Sequence, residues 1–132
     1  MNTNYEKDFV PYEQALALKE LGFDEPCFGF YTYKGGIRRY TNFDGELNDF
    51  QTLKNSSIIM GNGWCAVPTF SQAFRWFREK HELYSFVFKF DEGFGYETYK
   101  EGVTQTNESF DTYEEAELAC LKKLIEIVKQ QL

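Results

Sequence analysis

A chain of 132 residues with 42% hydrophobic side chains is long enough for one domain with a real core and too short to expect two. Its formal net charge of −7 is spread evenly, −3 over residues 1–66 (6 basic, 9 acidic) and −4 over residues 67–132 (8 basic, 12 acidic). That field repels nucleic acid and anionic membrane, although it leaves room for a locally basic face.

Residues 1–9 read as a flexible polar leader, with a single domain over 10–132. A first helix is expected from about Pro11 to Leu21, because Pro suits an opening turn and Gly22 followed by Phe23 suits a Schellman ending. Residues 27–33 and 37–43 are rich in strand formers and flank Lys34-Gly35-Gly36, a hairpin signal. The polar stretch 44–57 has no assignable element, although Leu47, Phe50 and Leu53 recur at intervals of three. A short strand is expected around Ser57–Met60, and a turn at Gly61-Asn62-Gly63 precedes Trp64–Val67.

A second helix is expected from Thr69 to about Leu83, with Phe70, Ala73, Phe74, Trp76, Phe77 and His81 on one face. On its other side Arg75 with Glu79 and Arg78 with Glu82 have the spacing of intrahelical ion pairs. Tyr84–Asp91 alternates with period two, and Tyr84, Phe86, Phe88 and Phe90 are expected to face the core. Glu92-Gly93 turns the chain into a second strand near Phe94–Lys100, and residues 101–109 read as a polar loop. The last helix, Thr112 to about Gln130, carries a broad apolar face of Ala116, Cys120, Leu121, Leu124, Ile125, Ile127 and Val128 and is expected to lie across a sheet. The sum is an α+β domain: a mostly antiparallel sheet of two hairpins plus a short strand, covered by about three helices.

Two helix starts share one phrase, Thr69-Phe70-Ser71-Gln72-Ala73 and Thr112-Tyr113-Glu114-Glu115-Ala116, with a degenerate copy at Pro11–Ala15. The Thr hydroxyl can accept from an orphan amide of the first turn, and the Gln or Glu three residues on can reach back to the cap. These are folding signals without a reactive group. The three blocks YEQALALKELGFDEPCF (12–28), VPTFSQAFRWFREK (67–80) and TYEEAELACLKKLIEIVK (112–129), about a third of the chain, resemble a group of small uncharacterised proteins encoded by phages and prophage-like elements of Bacteroides-type bacteria. The resemblance implies a genomic setting. It carries no activity and no catalytic residue.

The residues themselves argue against most chemistries. Cys27, Cys65 and Cys120 are odd in number and far apart, unlike a disulfide framework or a zinc knuckle, and read as buried structural thiols. The first residues lack a basic segment followed by an apolar run, and no apolar stretch reaches membrane-spanning length, so the cytoplasm is the expected compartment. His81 is the single histidine and sits at a helix end, where packing and the helix dipole account for it. Asp91-Glu92 and Glu114-Glu115 suit a hairpin turn and a helix N-terminus better than an acid and base pair. No phosphate-cradling glycine loop is present. The expectation is therefore no catalytic, cofactor or metal site.

One basic patch departs from the acidic balance. Between Pro26 and Phe43 there is no carboxylate, while Lys34, Arg38 and Arg39 are interleaved with Tyr31, Tyr33 and Tyr40. Two functions stay open: a non-catalytic protein-binding accessory, with a second copy of the chain among its candidate partners, or a nucleic-acid binder using Lys34, Arg38, Arg39 and Tyr40 of the hairpin 27–43. An enzyme ranks third.

Overall fold

Among the described residues, three helices and two antiparallel sheets give the α+β class expected from the sequence. The computed structural model describes residues 7–32, 37–39 (backbone), 53–58 and 63–132. Contacts group the chain into two units, 1–69 and 70–132.

In the first unit, α1 (Tyr12–Glu20) begins after Pro11, which occupies the N-cap in an extended conformation, φ −61° and ψ 158°, with the φ that its ring fixes. It ends in a full Schellman motif: the Phe23 N–H donates to the Leu18 carbonyl at 2.9 Å and the Gly22 N–H to that of Lys19 at 3.0 Å. Gly22 takes the left-handed φ of +99° that this ending requires. Leu18 and Phe23, the two residues the motif brings together, are buried. The helix packs on β3 (Cys65–Val67), all three of whose residues are buried. β3 pairs with β1 (Gly29–Tyr31), and β1 with β2 (Ile37–Arg39), in the order β2-β1-β3. The turn Lys34-Gly35-Gly36 lies outside the described residues.

Side chains tie this unit together where the strands are short. The Tyr31 hydroxyl donates to the Val10 carbonyl at 2.9 Å, Tyr12 to that of Gly63 at 2.9 Å, and the Lys19 ammonium to that of Trp64 at 2.7 Å. Within the unassigned stretch, Leu53 pairs with Cys27 in an isolated bridge and Asn55–Ser57 forms one 3-10 turn; residues 44–52 lie outside the described residues. The short strand expected at Ser57–Met60 is not formed at its start, because Ser57 closes that turn; residues 59–60 lie outside the described residues. Of the expected leader, Phe9 forms a bridge with Thr69, and residues 1–6 lie outside the described residues.

In the second unit, α2 (Phe70–His81) buries Phe70, Ala73, Trp76 and Phe77. Glu82, at φ +51°, breaks it. β4 (Tyr84–Phe90), β5 (Gly93–Lys100) and β6 (Val103–Phe110) form a meander in the order β4-β5-β6. The polar loop expected over 101–109 is thus mostly a strand. Glu101 and Gly102 both have positive φ, +51° and +84°, the conformation of a two-residue hairpin turn whose twist suits its flanking strands. It sets Lys100 opposite Val103. α3 (Tyr113–Lys129) starts at Thr112, whose hydroxyl accepts from the Glu115 N–H at 3.1 Å. The helix lies across β4 and β5 and buries Ala116, Cys120, Leu121, Leu124, Ile125 and Val128.

This packing reverses the expected orientation of β4. Phe86 is among the most exposed large side chains, whereas Leu124 is fully buried, so the two do not share a core. The face of β4 toward α3 carries Ser85 and Val87. Small side chains there let the helix lie close, and the helix itself supplies the leucine and isoleucine bulk.

Candidate functional site

The basic hairpin is described only in part. The β1–β2 register sets Arg38 opposite Phe30 and Arg39 opposite Gly29, while Lys34 and Tyr40 lie outside the described residues. Phe28, just before β1, is exposed, and Phe30 stacks on Trp64 with ring centroids 5.7 Å apart.

The nucleophile candidates sit in environments that suppress their reactivity. Burial pushes the Cys27 thiol up to about 12, with help from the Glu25 carboxylate, and the Cys65 and Cys120 thiols each up to about 11. A thiol so raised presents almost no thiolate near neutrality. His81 packs edge-on against Trp76 at 4.8 Å and lies 6.1 Å from the Phe77 ring. Burial, and then the nearby Lys100 ammonium, hold its imidazole below its ordinary value. Lys100 itself donates to the His81 carbonyl, so this histidine closes α2 onto β5. Asp91 and Glu92 occupy the β4–β5 turn, and Glu114 and Glu115 the first turn of α3. Among the described residues no group of three His, Cys, Asp or Glu side chains is placed to hold a metal ion.

A different surface emerges on the second sheet. The β4–β5 register sets Tyr84 opposite Tyr99, Phe86 opposite Glu97, Phe88 opposite Gly95 and Phe90 opposite Gly93. On β6, Thr104 and Thr106 stand opposite Tyr99 and Glu97. Strand alternation places all of them on the face away from α3. The rings follow one another along β4, with centroids 5.9 Å apart for Phe86 and Phe88 and 6.3 Å for Phe88 and Phe90.

Glycine sets the relief of this face. A Cβ at Gly95 would meet the Phe88 Cζ at 2.7 Å, so that ring lies down across β5 in the trough the glycine leaves; at Gly93 the close neighbour of such a Cβ is the Phe110 carbonyl oxygen at 2.5 Å, with the Phe90 Cζ at an ordinary 3.8 Å. Both rings are half-buried. Phe86 faces Glu97 and has no such trough. It stays 54% exposed, with Tyr84 at 49% and Tyr99 at 48%. Single exposed aromatics are ordinary, whereas these form a contiguous set on one sheet face. The carboxylate in its midst is fixed, since the Thr106 hydroxyl donates to Glu97 Oε1 at 3.1 Å.

The sheet's two cations stand elsewhere. Lys89 lies over the Phe94 ring, 5.1 Å from its centroid, and donates to the Phe90 carbonyl at 2.8 Å. Lys100 is engaged at His81. Both alternate onto the helix side of the sheet.

A concavity of about 320 Å³ opens between α2, β4 and α3, with Phe74, Arg78, Ser85, Tyr113 and Glu117 among its lining. Arg78 was expected to be neutralised by Glu82. The helix stops at His81, however, and the left-handed backbone of Glu82 carries its side chain off the helical row. Arg75 and Glu79 are not within ion-pair distance either; the ion pair formed among the described residues is Lys123 with Glu126 at 3.6 Å.

The aromatic face went unrecognised in the sequence because period two fixes which residues share a face and leaves open which face is covered. The available signal was the pairing of Phe88 and Phe90 with Gly95 and Gly93, which a two-residue Asp91-Glu92 turn implies. Comparison of the chain with protein-family profiles, curated proteins and solved structures finds no match.

Proposed function

We propose that the protein is a non-catalytic protein-binding accessory, of the kind a phage or mobile element encodes, and that it binds through the open aromatic face of β4–β6. The observation that carries this reading is the contiguous exposure of Tyr84, Phe86 and Tyr99 beside the half-buried Phe88 and Phe90. Aromatic side chains with few rotatable bonds give large contact area at low entropic cost, and they dominate binding energy at protein interfaces. The suppressed thiols and the packed histidine lend no support to a cysteine–histidine nucleophile. Three free cysteines suit the reducing cytoplasm as its place of work. No helix among the described residues is long and apolar enough to cross a membrane.

The test is a paired capture experiment from the native host. Wild-type protein should retain a discrete partner, or a second copy of itself, that the Phe86→Ser/Tyr99→Ser variant loses while keeping its circular dichroism spectrum. Equal retention by both proteins would move the binding site off this face.

A further inference from the structure

The chemistry of the open face also specifies what it takes. Every charged side chain placed on it is negative: Glu97 stands in the centre, opposite Phe86 on β4 and Thr106 on β6, and two residues from Tyr99 along β5. Across residues 84–110 the charges are Lys89 and Lys100 against Asp91, Glu92, Glu97, Glu101 and Glu108, a net of −3. Both lysines are turned to the helix side and engaged there, so they do not neutralise the face. A carboxylate on an aromatic surface has two ordinary explanations, solvation or an internal partner. Glu97 has a partner for one oxygen, and that partner is neutral: the Thr106 hydroxyl orients the group without cancelling its charge.

A fixed, uncancelled carboxylate beside exposed π-faces is complementary to one kind of group. A guanidinium or ammonium gains a charge-assisted hydrogen bond from the carboxylate and cation–π attraction from the flanking rings. An anionic or nucleic-acid ligand meets repulsion at the same spot, because no cation among the described residues of β4–β6 offsets Glu97.

We propose that the open face docks a cationic segment of a protein partner, seating an arginine or lysine side chain on the Glu97 carboxylate between Phe86 and Tyr99. This rests on the protein-binding reading of the face and adds the chemical class of its occupant. Glu97 supplies specificity, and the rings supply contact area.

The experiment uses the full chain and three synthetic peptides of equal length on one threonine-valine frame, with arginine, glutamine or glutamate at alternate positions. Binding is followed by amide chemical shifts and fluorescence anisotropy for wild type, Glu97→Gln and Phe86→Ser. Glutamine at 97 keeps an acceptor for Thr106, so the variant tests charge and not folding. The arginine peptide should shift amides of β4, β5 and β6, weaken with added salt, and lose about tenfold in affinity on Glu97→Gln, the scale of one charge-assisted contact. Equal binding of the glutamine peptide, or an arginine-peptide affinity indifferent to Glu97→Gln, overturns the cationic occupant; if Phe86→Ser still abolishes that binding, the protein-binding face survives. Failure of all three peptides also overturns the cationic occupant and leaves the face to the capture experiment. Preference for the glutamate peptide would reverse the sign of the proposal.

Discussion

Asn55 shows how one side chain can substitute for a missing strand. Its Nδ2 donates to the Phe23 carbonyl and its Oδ1 accepts from the Ala66 N–H, both at 2.8 Å, joining the end of α1 to β3 through a buried amide. Asn55→Ala removes both hydrogen bonds and leaves the buried Ala66 N–H without its acceptor, and leaving such a group unsatisfied costs about 1–3 kcal/mol. Chemical denaturation should register a loss on that scale, and a wild-type midpoint would refute the clamp. His81 gives a second residue-level test. Its folded pKa lies below the ordinary 6.5, chiefly through burial and then through Lys100. The unfolded chain therefore binds the proton first, and stability is fully present above 6.5 and lost as pH falls toward the folded pKa. As the chain has one histidine, its single imidazole resonance should titrate below 6.5. A midpoint at or above that value would place the ring in water or beside a carboxylate.

At the scale of elements, the termini of helices were the most legible part of the sequence, because caps are local chemistry. Thr112 accepts from the Glu115 N–H as its phrase predicts, and Thr112→Ala should destabilise by about 0.5–2 kcal/mol, measured by thermal melting. Gly22 likewise announces the end of α1. Strands were less legible. β4 declared its period and hid its orientation, since the sequence contrast between aromatic and small residues ran opposite to the burial. β6, Val-Thr-Gln-Thr-Asn-Glu-Ser-Phe, declared nothing: as an edge strand exposed over residues 103–109 it has no apolar alternation to read, and only threonine and the Glu101-Gly102 turn hint at pairing. The candidate site was hidden for the same reason as the orientation of β4. One comparison measures the reversal. Leu124→Ala removes a fully buried side chain and should cost about 2–5 kcal/mol. Phe86→Ser, on the open face, should cost far less in the same denaturation experiment. Equal losses would return Phe86 to the core.

At the scale of the whole molecule, net charge bears on which partners the chain can hold. The net charge of −7 opposes retention of nucleic acid, so a shift assay at low salt should show no complex with single- or double-stranded DNA or RNA. A complex that weakens with salt and vanishes in an Arg38→Glu/Arg39→Glu variant would assign the function to the first hairpin instead.

The cysteines report on cooperativity because they are divided between the units, Cys27 and Cys65 in residues 1–69 and Cys120 in residues 70–132. All three are buried with raised pKa values, so none should react with a thiol reagent until its surroundings open. The described strands of the first unit are three residues each, a short ladder reinforced by side-chain ties. Those of the second are seven to eight residues long and are backed by a 17-residue helix. Opening free energy rises with the number of buried contacts and ladder bonds broken together. In increasing denaturant, Cys27 and Cys65 should therefore become labelled before Cys120, as read by mass spectrometry of the labelled peptides. Coincident labelling of all three would overturn that order and mean that the chain opens in one cooperative step.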